Sequence, residues 1–299
     1  MNEQENSDVG ERFRRTLNRH GHSFQYTVVK RALDLNRERR SEWEYLDSEF
    51  PVIVNNKSTR IDFIFCKARP TIFLIAECKR VNPAYSDWCF ANSSYARDDS
   101  SLNEAIFQYA WLRPPDRQAP FTNIDIPAAS ERFETGIQSN RGHPDIFHIG
   151  RAVRSEKKGD SNGRNSDEIE EASGQVCKGL NGMIEYFQQY RSTFPNNSKV
   201  YFLPAIFTTA RIWTTTVDLA SANIENGELS PGSVSVIERP WVWYQYHVSP
   251  DLQHSAPRDR KERSPFDISE ILNQEFARTI AIVGVKGIED FLHRGFPWK

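Results

Sequence analysis

Three short apolar runs lie between residues 49 and 79, and short polar breaks separate them. The runs cover 49–54, 60–66 and 71–79, and each has the length and the side-chain types of a β-strand. The breaks at 55–58 and 67–70 are turn-like and too short for a crossover connection. The pattern therefore predicts an antiparallel meander of three strands.

Apolar positions before this meander recur at helical spacing. Phe13 and Leu17 share one face of a helix that is predicted to begin near Asp8 and to end before Gly21. The first ten residues have the composition of a disordered segment. Residues 28–40 predict a second helical patch, so helical structure is expected to lead into the meander.

The clearest helix of the chain is predicted at 167–191. Its apolar positions recur three and four residues apart and form one stripe: Ile169, Ala172, Val176, Leu180, Met183 and Phe187. A second stripe beside it contains Gln175, Gly179, Gly182 and Tyr186. An interior glycine costs roughly 1 kcal/mol relative to alanine. The two glycines therefore predict close packing of another element on this face, with a close ligand backbone as the alternative.

The remaining segments predict an α/β fold with an insertion and an extension. Residues 80–165 predict a loop-rich insertion with one short helix near 102–112. Two strands are predicted at 199–219, another at 238–248, and a strand leading into a terminal helix at 279–292. The predicted organisation is one domain at 8–208, interrupted at 80–165, with a β-rich C-terminal extension at 209–299 packed on the same core.

Composition narrows the class of protein. Apolar residues make up 38% and aromatic residues 12% of the 299 residues, which argues against disorder of the whole chain. No apolar run has the length of a membrane span, and the first residues lack the apolar segment of a secretory signal, so we expect a soluble cytoplasmic protein with no membrane partner. The net charge of −2 means that any surface for nucleic acid must be local. Four cysteines without CxxC spacing are expected to be free thiols.

Two carboxylates interrupt the meander strands. Asp62 lies between Ile61 and Phe63, and Glu77 ends the third apolar run, two residues before Lys79. A buried, unpaired carboxylate costs several kcal/mol, so each needs a cationic partner. That partner is either a basic side chain, such as Lys79 in a structural ion pair with Glu77, or a divalent metal ion such as Mg²⁺, which prefers oxygen ligands. Strand alternation places Lys79 on the same face as Glu77 in both cases.

The arrangement resembles the PD-(D/E)XK phosphodiesterase superfamily, which includes restriction endonucleases, Holliday-junction resolvases and lambda exonuclease. The resemblance rests on Asp62, fourteen intervening residues and then Glu77-Cys78-Lys79, all on consecutive apolar strands. Ile61 stands where the pattern has proline. The resemblance implies a restriction-endonuclease-like core of a helix, three meander strands, a second helix and a further strand.

The resemblance also implies roles for individual residues. Asp62, Glu77 and the backbone carbonyl of Cys78 would be metal ligands, and Lys79 would be the catalytic lysine. Glu11, in the segment Gly10-Glu11-Arg12-Phe13, matches an additional acidic residue that many members carry on the first helix. Gln175 matches a glutamine that some members carry on the helix after the lysine strand.

The function that the resemblance implies is a nuclease that depends on Mg²⁺, or on Mn²⁺, and acts on nucleic acid, with double-stranded DNA favoured. Its implied context is prokaryotic restriction, repair or antiphage defence, with partner subunits or a homodimer as further partners. Two alternatives stay open: a catalytically inactive member that binds nucleic acid or serves assembly, and an RNA nuclease. The aromatic strand with Trp241, Trp243, Tyr244 and Tyr246 is predicted to be core rather than a base-stacking platform.

A second acidic motif lies in the insertion. Pro144-Asp145 is followed by Glu156-Lys157-Lys158, but the lysines stand in a polar segment. Residues 150–160 are not expected to form a buried strand, and a site there would lack a rigid frame for its carboxylates. The sequence therefore favours Asp62 and Glu77.

Overall fold

The computed structural model of the chain describes residues 3–19, 21–67, 71–92, 105–113, 132–140, 146–153, 168–190, 199–215, 222–249 and 276–294. In these ranges the chain is mixed α/β, with a sheet-rich core and four α-helices, as the sequence predicts at that level. The helices are α1 Glu3–Arg19, α2 His22–Arg37, α3 Glu168–Gln189 and α4 Ile288–Arg294. The strands are β1 Glu44–Val54, β2 Lys57–Lys67, β3 Ile72–Lys79, β4 Asp87–Ala91, β5 Ala105–Arg113, β6 Arg132–Asn140, β7 Ile146–Phe147, β8 Ile149–Val153, β9 Lys199–Thr208, β10 Arg211–Thr215, β11 Val236–Arg239, β12 Trp241–His247 and β13 Ala277–Gly284.

The predicted meander is confirmed. Strands β1, β2 and β3 pair antiparallel in chain order. A two-residue turn joins β1 to β2, and its residues Asn55 and Asn56 have φ values of 50° and 61°. Such left-handed values at both positions are typical of a type I′ turn, whose twist matches that of the flanking strands. The turn therefore fixes the register between β1 and β2.

The main sheet extends well beyond the meander. Its order is β1-β2-β3-β9-β13-β12-β7, and β5 also joins β9 and carries β6. Strand β9 runs parallel to β3 on one edge. On its other edge it pairs with β5 over residues 199–202 and with β13 over residues 205–208. Strands β12 and β13 thus belong to the same sheet as the meander.

Helix α3 covers one face of this sheet. It packs against β1, β3 and β9, and its apolar stripe enters a core that also contains Val52, Ile61 and Ile75. A Cβ atom on Gly179 would lie 3.0 Å from the Ile61 side chain, and one on Gly182 would lie 2.6 Å from that of Val52. The prediction of close packing at the two glycines is confirmed.

Helices α2 and α4 cover the opposite face. Their buried residues form a second core with the other side of the meander strands; its members include Val28, Val29, Ala32, Leu35, Phe63, Phe65, Leu74, Phe207, Trp243 and Phe291. The aromatic strand is confirmed as core at Trp243 and Tyr244. Helix α1 packs on α2, outside this layer. None of the helices in the described part of the chain is long and apolar enough to cross a membrane.

Two predictions about secondary structure were wrong. The short helix near 102–112 is, in its described part, strand β5; Ala105, Ile106, Phe107 and Gln108 are all buried because both faces are covered, and its edges pair with β6 and β9. The described part of the insertion is also richer in strands than expected, since it contains β4 to β8, and β4 and β8 join β10 and β11 in a second sheet. Strand β8 includes residues 150–153, the first part of the segment that was not expected to form a buried strand.

The start of the chain also differs from the expectation. Helix α1 begins at Glu3 and not near Asp8, so residues 3–10 are helical. Asp8 forms an ion pair with Arg12 one helical turn later, at 3.5 Å, and such pairs stabilise a helix. Asp145 and residues 156–158, the members of the second acidic motif, lie outside the described residues.

Candidate active site at the fork between β2 and β3

Asp62 lies where β2 separates from β3. The ladder between these strands runs from Lys67 and Ile72 to Phe63 and Ala76, one residue short of Asp62. Beyond the last ladder pair, the Asp62 side chain links the two strands. Its Oδ2 accepts a hydrogen bond from the backbone N–H of Cys78 at 2.6 Å. The side chain is therefore fixed in the fork between the two strands.

The backbone is also irregular on the other side of Asp62. The register places Glu49 of β1 opposite Asp62, between the pairs Ser48–Phe63 and Phe50–Ile61. Glu49 has a left-handed φ of 53°, which few residues other than glycine adopt. Ile61 packs into the core under α3, whereas Phe63 packs into the core under α2, although positions two apart in a regular strand share a face. At Asp62, the side chains of β2 therefore switch the face of the sheet to which they point.

Gln25 of α2 joins the two irregular positions. It is buried, and its Nε2 donates to the backbone carbonyl of Asp62 at 2.6 Å and to Oε1 of Glu49 at 3.2 Å. Neither Gln25 nor Glu49 was identified from the sequence. The available signal was a polar residue within the apolar face of α2, since Gln25 precedes Val28 and Val29 at helical spacing.

Glu77 and Lys79 lie at the end of β3, on the face that α3 covers. Glu77 is 9% exposed, and its Oε1 lies 3.4 Å from Lys79 Nζ. The parallel strand β9 places Ile206 and Thr208 beside them. The ion pair that the sequence offered as an alternative to a metal site is therefore present in the structure.

Burial raises the pKa of the Asp62 carboxyl to about 6. The N–H of Cys78 opposes this shift by stabilising the carboxylate, and the charge of Glu49 adds to it. The positive charges of Lys79 and His22 lower the pKa of Asp62 by smaller amounts. Ionising Asp62 therefore costs more free energy than ionising an exposed aspartate, unless a cation lies close to it.

Burial also raises the pKa of Glu77, to about 8. The next largest cause is the negative charge of Asp62, so Asp62 lies close enough to Glu77 to act on it. Lys79 lowers the pKa of Glu77 through its charge and its hydrogen bond, while Glu171 of α3 raises it. One lysine does not offset two neighbouring carboxylates, and the site retains an affinity for positive charge.

The backbone of Cys78 contributes a further oxygen on the same side. Within a strand, the N–H and C=O of one residue point to the same side. Because the Cys78 N–H points to Asp62, its carbonyl also faces the fork. The predicted ligands Asp62, Glu77 and the Cys78 carbonyl thus come from adjacent positions of one fork.

Glu11 does not join these residues through its contacts. Its carboxylate binds Arg14 at 2.7 Å and Arg15 at 3.0 Å, all within α1. Hydrogen bonds from these two arginines lower the pKa of Glu11 to about 2. The helix directly before the meander is α2, so the residue that reaches Asp62 from that helix is Gln25 and not Glu11.

Gln175 lies on α3, one helical turn after Glu171, whose charge acts on Glu77. Positions four apart share a face of a helix. The Oε1 atom of Gln175 is buried and has no hydrogen-bond partner within the described residues. A buried acceptor without a donor is costly, so Gln175 leaves hydrogen-bonding capacity unused on this face of α3.

The carboxylates fit a magnesium ion better than a metal with many protein ligands. Within the described residues, no three His, Cys, Asp or Glu side chains are grouped closely enough to hold a metal. Mg²⁺ usually takes one or two carboxylates and leaves its other positions to water and substrate phosphate. Asp62 and Glu77 supply that number, and a bound cation would stabilise the ionised form of each buried carboxyl.

Comparisons with known proteins found no relative. No family model matches the chain, and no curated protein or solved structure matches it either. What the site can do therefore has to follow from its own residues.

Proposed function

We propose that the protein is a magnesium-dependent nuclease that hydrolyses phosphodiester bonds in DNA. The observation that carries this proposal is the meeting of Asp62, Glu77 and Lys79 at one fork, where burial raises the pKa of both carboxyls and the charge of Asp62 raises that of Glu77 further. Perturbed acids that share a site with a lysine are more frequent at active sites than elsewhere. Mn²⁺ would serve in place of Mg²⁺.

The order of elements supports a restriction-endonuclease-like core. Helix α2, strands β1 to β3, helix α3 and strand β9 follow one another as that core requires. Strand β9 lies next to β3 and parallel to it, so the ends of both strands meet at the carboxylates. Strands β4 to β8 and β10 to β13 would then be additions to this core.

Each residue has a distinct part in the proposed reaction. A bound Mg²⁺ would supply a Lewis acid for the phosphate. The Cys78 N–H holds Asp62 Oδ2 in place, so the carboxylate would be oriented before a metal binds. Lys79 would hold the attacking water by hydrogen bonding and favour its deprotonated form by its positive charge.

Cleavage assays on two variants test the proposal. Plasmid, linear DNA and RNA are incubated with wild type, Lys79→Ala and Asp62→Asn, each with Mg²⁺ or with chelator. We expect magnesium-dependent cleavage of DNA by wild type and a loss of at least about 100-fold in both variants. Lys79→Ala removes the group that acts on the attacking water, which contributes that much, and Asp62→Asn removes a charged metal ligand. Asp62→Asn should also bind Mg²⁺ more weakly.

A matched lysine serves as the control. Lys286 forms an ion pair with Glu238 at 2.7 Å on the surface, so Lys286→Ala should leave cleavage and melting temperature unchanged. If Glu77–Lys79 is only a structural ion pair, Lys79→Ala leaves a buried carboxylate unpaired and lowers the free energy of unfolding by several kcal/mol. A large drop in melting temperature for Lys79→Ala, with no cleavage by wild type, would refute the proposed function.

A further inference from the structure

A cleft of about 600 Å³ opens between the end of α1, the first half of α2 and the start of β1. This volume is within the range of small-molecule binding sites. Its walls are largely apolar, with Leu17, Val29 and Leu33 among the lining residues. The described chain thus has room for a ligand outside the carboxylate fork.

The cleft shares two lining residues with the surroundings of Asp62. Gln25 and Glu49 line it, and the same two side chains are linked to Asp62, Gln25 by a 2.6 Å hydrogen bond and Glu49 by its charge. A molecule that fills the cleft would therefore lie on the α2 face of the sheet, against two residues that act on Asp62. A ligand that spans the cleft and the carboxylate site needs a part suited to apolar walls and a part suited to a cation.

The lining favours a flat, uncharged group with hydrogen-bonding edges. Tyr26 lines the cleft and is 71% exposed, so its aromatic side chain is accessible to a ligand. Ser48 and Gln25 supply polar atoms to the lining. Glu49 is close by and would repel an anion, so a phosphate would lie toward the cation site and not within the cleft.

We propose that this cleft binds the nucleobase of a nucleotide next to the phosphodiester bond that is cut, with the base stacked on Tyr26. Every base has a π-face, and stacking on an aromatic side chain is a common way to hold an unpaired base. A base can enter the cleft only after it has left its own stack. This inference rests on the proposed function and narrows its substrate to nucleic acid with an unpaired or flipped nucleotide at the cleavage site.

Equilibrium binding of free nucleosides tests the cleft without any need for cleavage. Adenosine and thymidine are titrated in the presence of chelator against wild type, Tyr26→Ala, Ser23→Trp and Phe13→Ala. Ser23 lines the cleft and is exposed, so a tryptophan there fills the space without entering the core. Phe13 is 62% exposed on α1 and is not part of the lining, which makes it the matched aromatic control.

We expect saturable binding to wild type that is about tenfold weaker in Tyr26→Ala, as loss of a base–aromatic stack predicts. Binding should be lost in Ser23→Trp and unchanged in Phe13→Ala, with all variants melting as wild type does. Equal binding to wild type and Ser23→Trp, no saturation, or tighter binding of decanol than of either nucleoside overturns the inference. Nucleoside binding by a protein that cuts no nucleic acid would refute the nuclease and leave the cleft as a nucleoside site.

Discussion

Asp62 is held at two points, one on its side chain and one on its backbone. Its Oδ2 accepts from Cys78, and its carbonyl accepts from Gln25. A carboxylate fixed in this way does not need a metal to find its orientation, which is the arrangement expected of a prepared ligand. The adjacent residue Glu49 adds a second constraint through its left-handed backbone.

Substitutions at Glu49 measure the free-energy cost of its left-handed backbone conformation. We expect Glu49→Gly to be more stable than Glu49→Ala by about 1 kcal/mol, because a Cβ atom disfavours left-handed φ values and glycine has none. Both variants lose the carboxylate, so their difference isolates the conformation at φ 53°. Urea unfolding of the two proteins gives the comparison, and an alanine variant as stable as the glycine variant would show that this position is unstrained.

At the scale of elements, sequence patterns predicted those helices and strands that depend on interactions between residues close in the chain. The meander and α3 follow from turn residues and helical spacing, which need no knowledge of distant segments. Strand β5 was missed because both of its faces are buried and its partners β6 and β9 are distant or unrecognised in the sequence. Without the alternation of a half-exposed strand, its residues resemble a buried helix.

The same reasoning explains what was found of the site. Asp62, Glu77 and Lys79 stand out as charges in apolar strands, so the sequence alone indicates them. Glu49 gains its place only from the register between β1 and β2, and Gln25 only from the packing of α2 on the meander. Both depend on tertiary structure, which a single sequence does not encode in any short window.

Two glycines of α3 give a matched test of packing. Gly182→Ala should lower the free energy of unfolding by about 1–3 kcal/mol, because its Cβ would lie 2.6 Å from Val52 and overpack the core. Gly174→Ala should raise it by up to about 1 kcal/mol, since the nearest atom is Tyr246 Oη at 3.6 Å and alanine is the better helix former. Denaturant unfolding measures both. Equal shifts of the same sign would contradict the close approach of α3 to β1.

At the scale of the whole molecule, the site links stability to pH and to metal. Folding raises the pKa of Asp62 to about 6 and that of Glu77 to about 8, so the folded state holds their protons more tightly than the unfolded state does. The stability gained in this way is complete below the unfolded pKa values and is lost as pH rises through the folded ones. The metal-free protein should therefore lose stability between about pH 5 and pH 8.5.

Melting temperatures of wild type and Glu77→Gln, measured in chelator across this range, test the linkage. The difference between the two proteins should shift in favour of Glu77→Gln by on the order of 2 kcal/mol as pH rises, because glutamine keeps the shape and lacks the charge. Added Mg²⁺ should stabilise wild type more at pH 8 than at pH 5, since protons compete with the metal for the carboxylates. Parallel melting curves for the two proteins would show that Glu77 does not titrate in this range.

Strand β9 pairs with both β5 and β13 along one edge, and this pairing affects folding during synthesis. Residues 205–208 of β9 gain their neighbours on that edge only when residues 281–284 of β13 arrive. A nascent chain synthesised as far as β9 can form the meander and α3 but leaves this central strand with open backbone groups, which are prone to pair with other chains. We expect the ribosome-bound intermediate to need shielding by a chaperone until β13 has emerged.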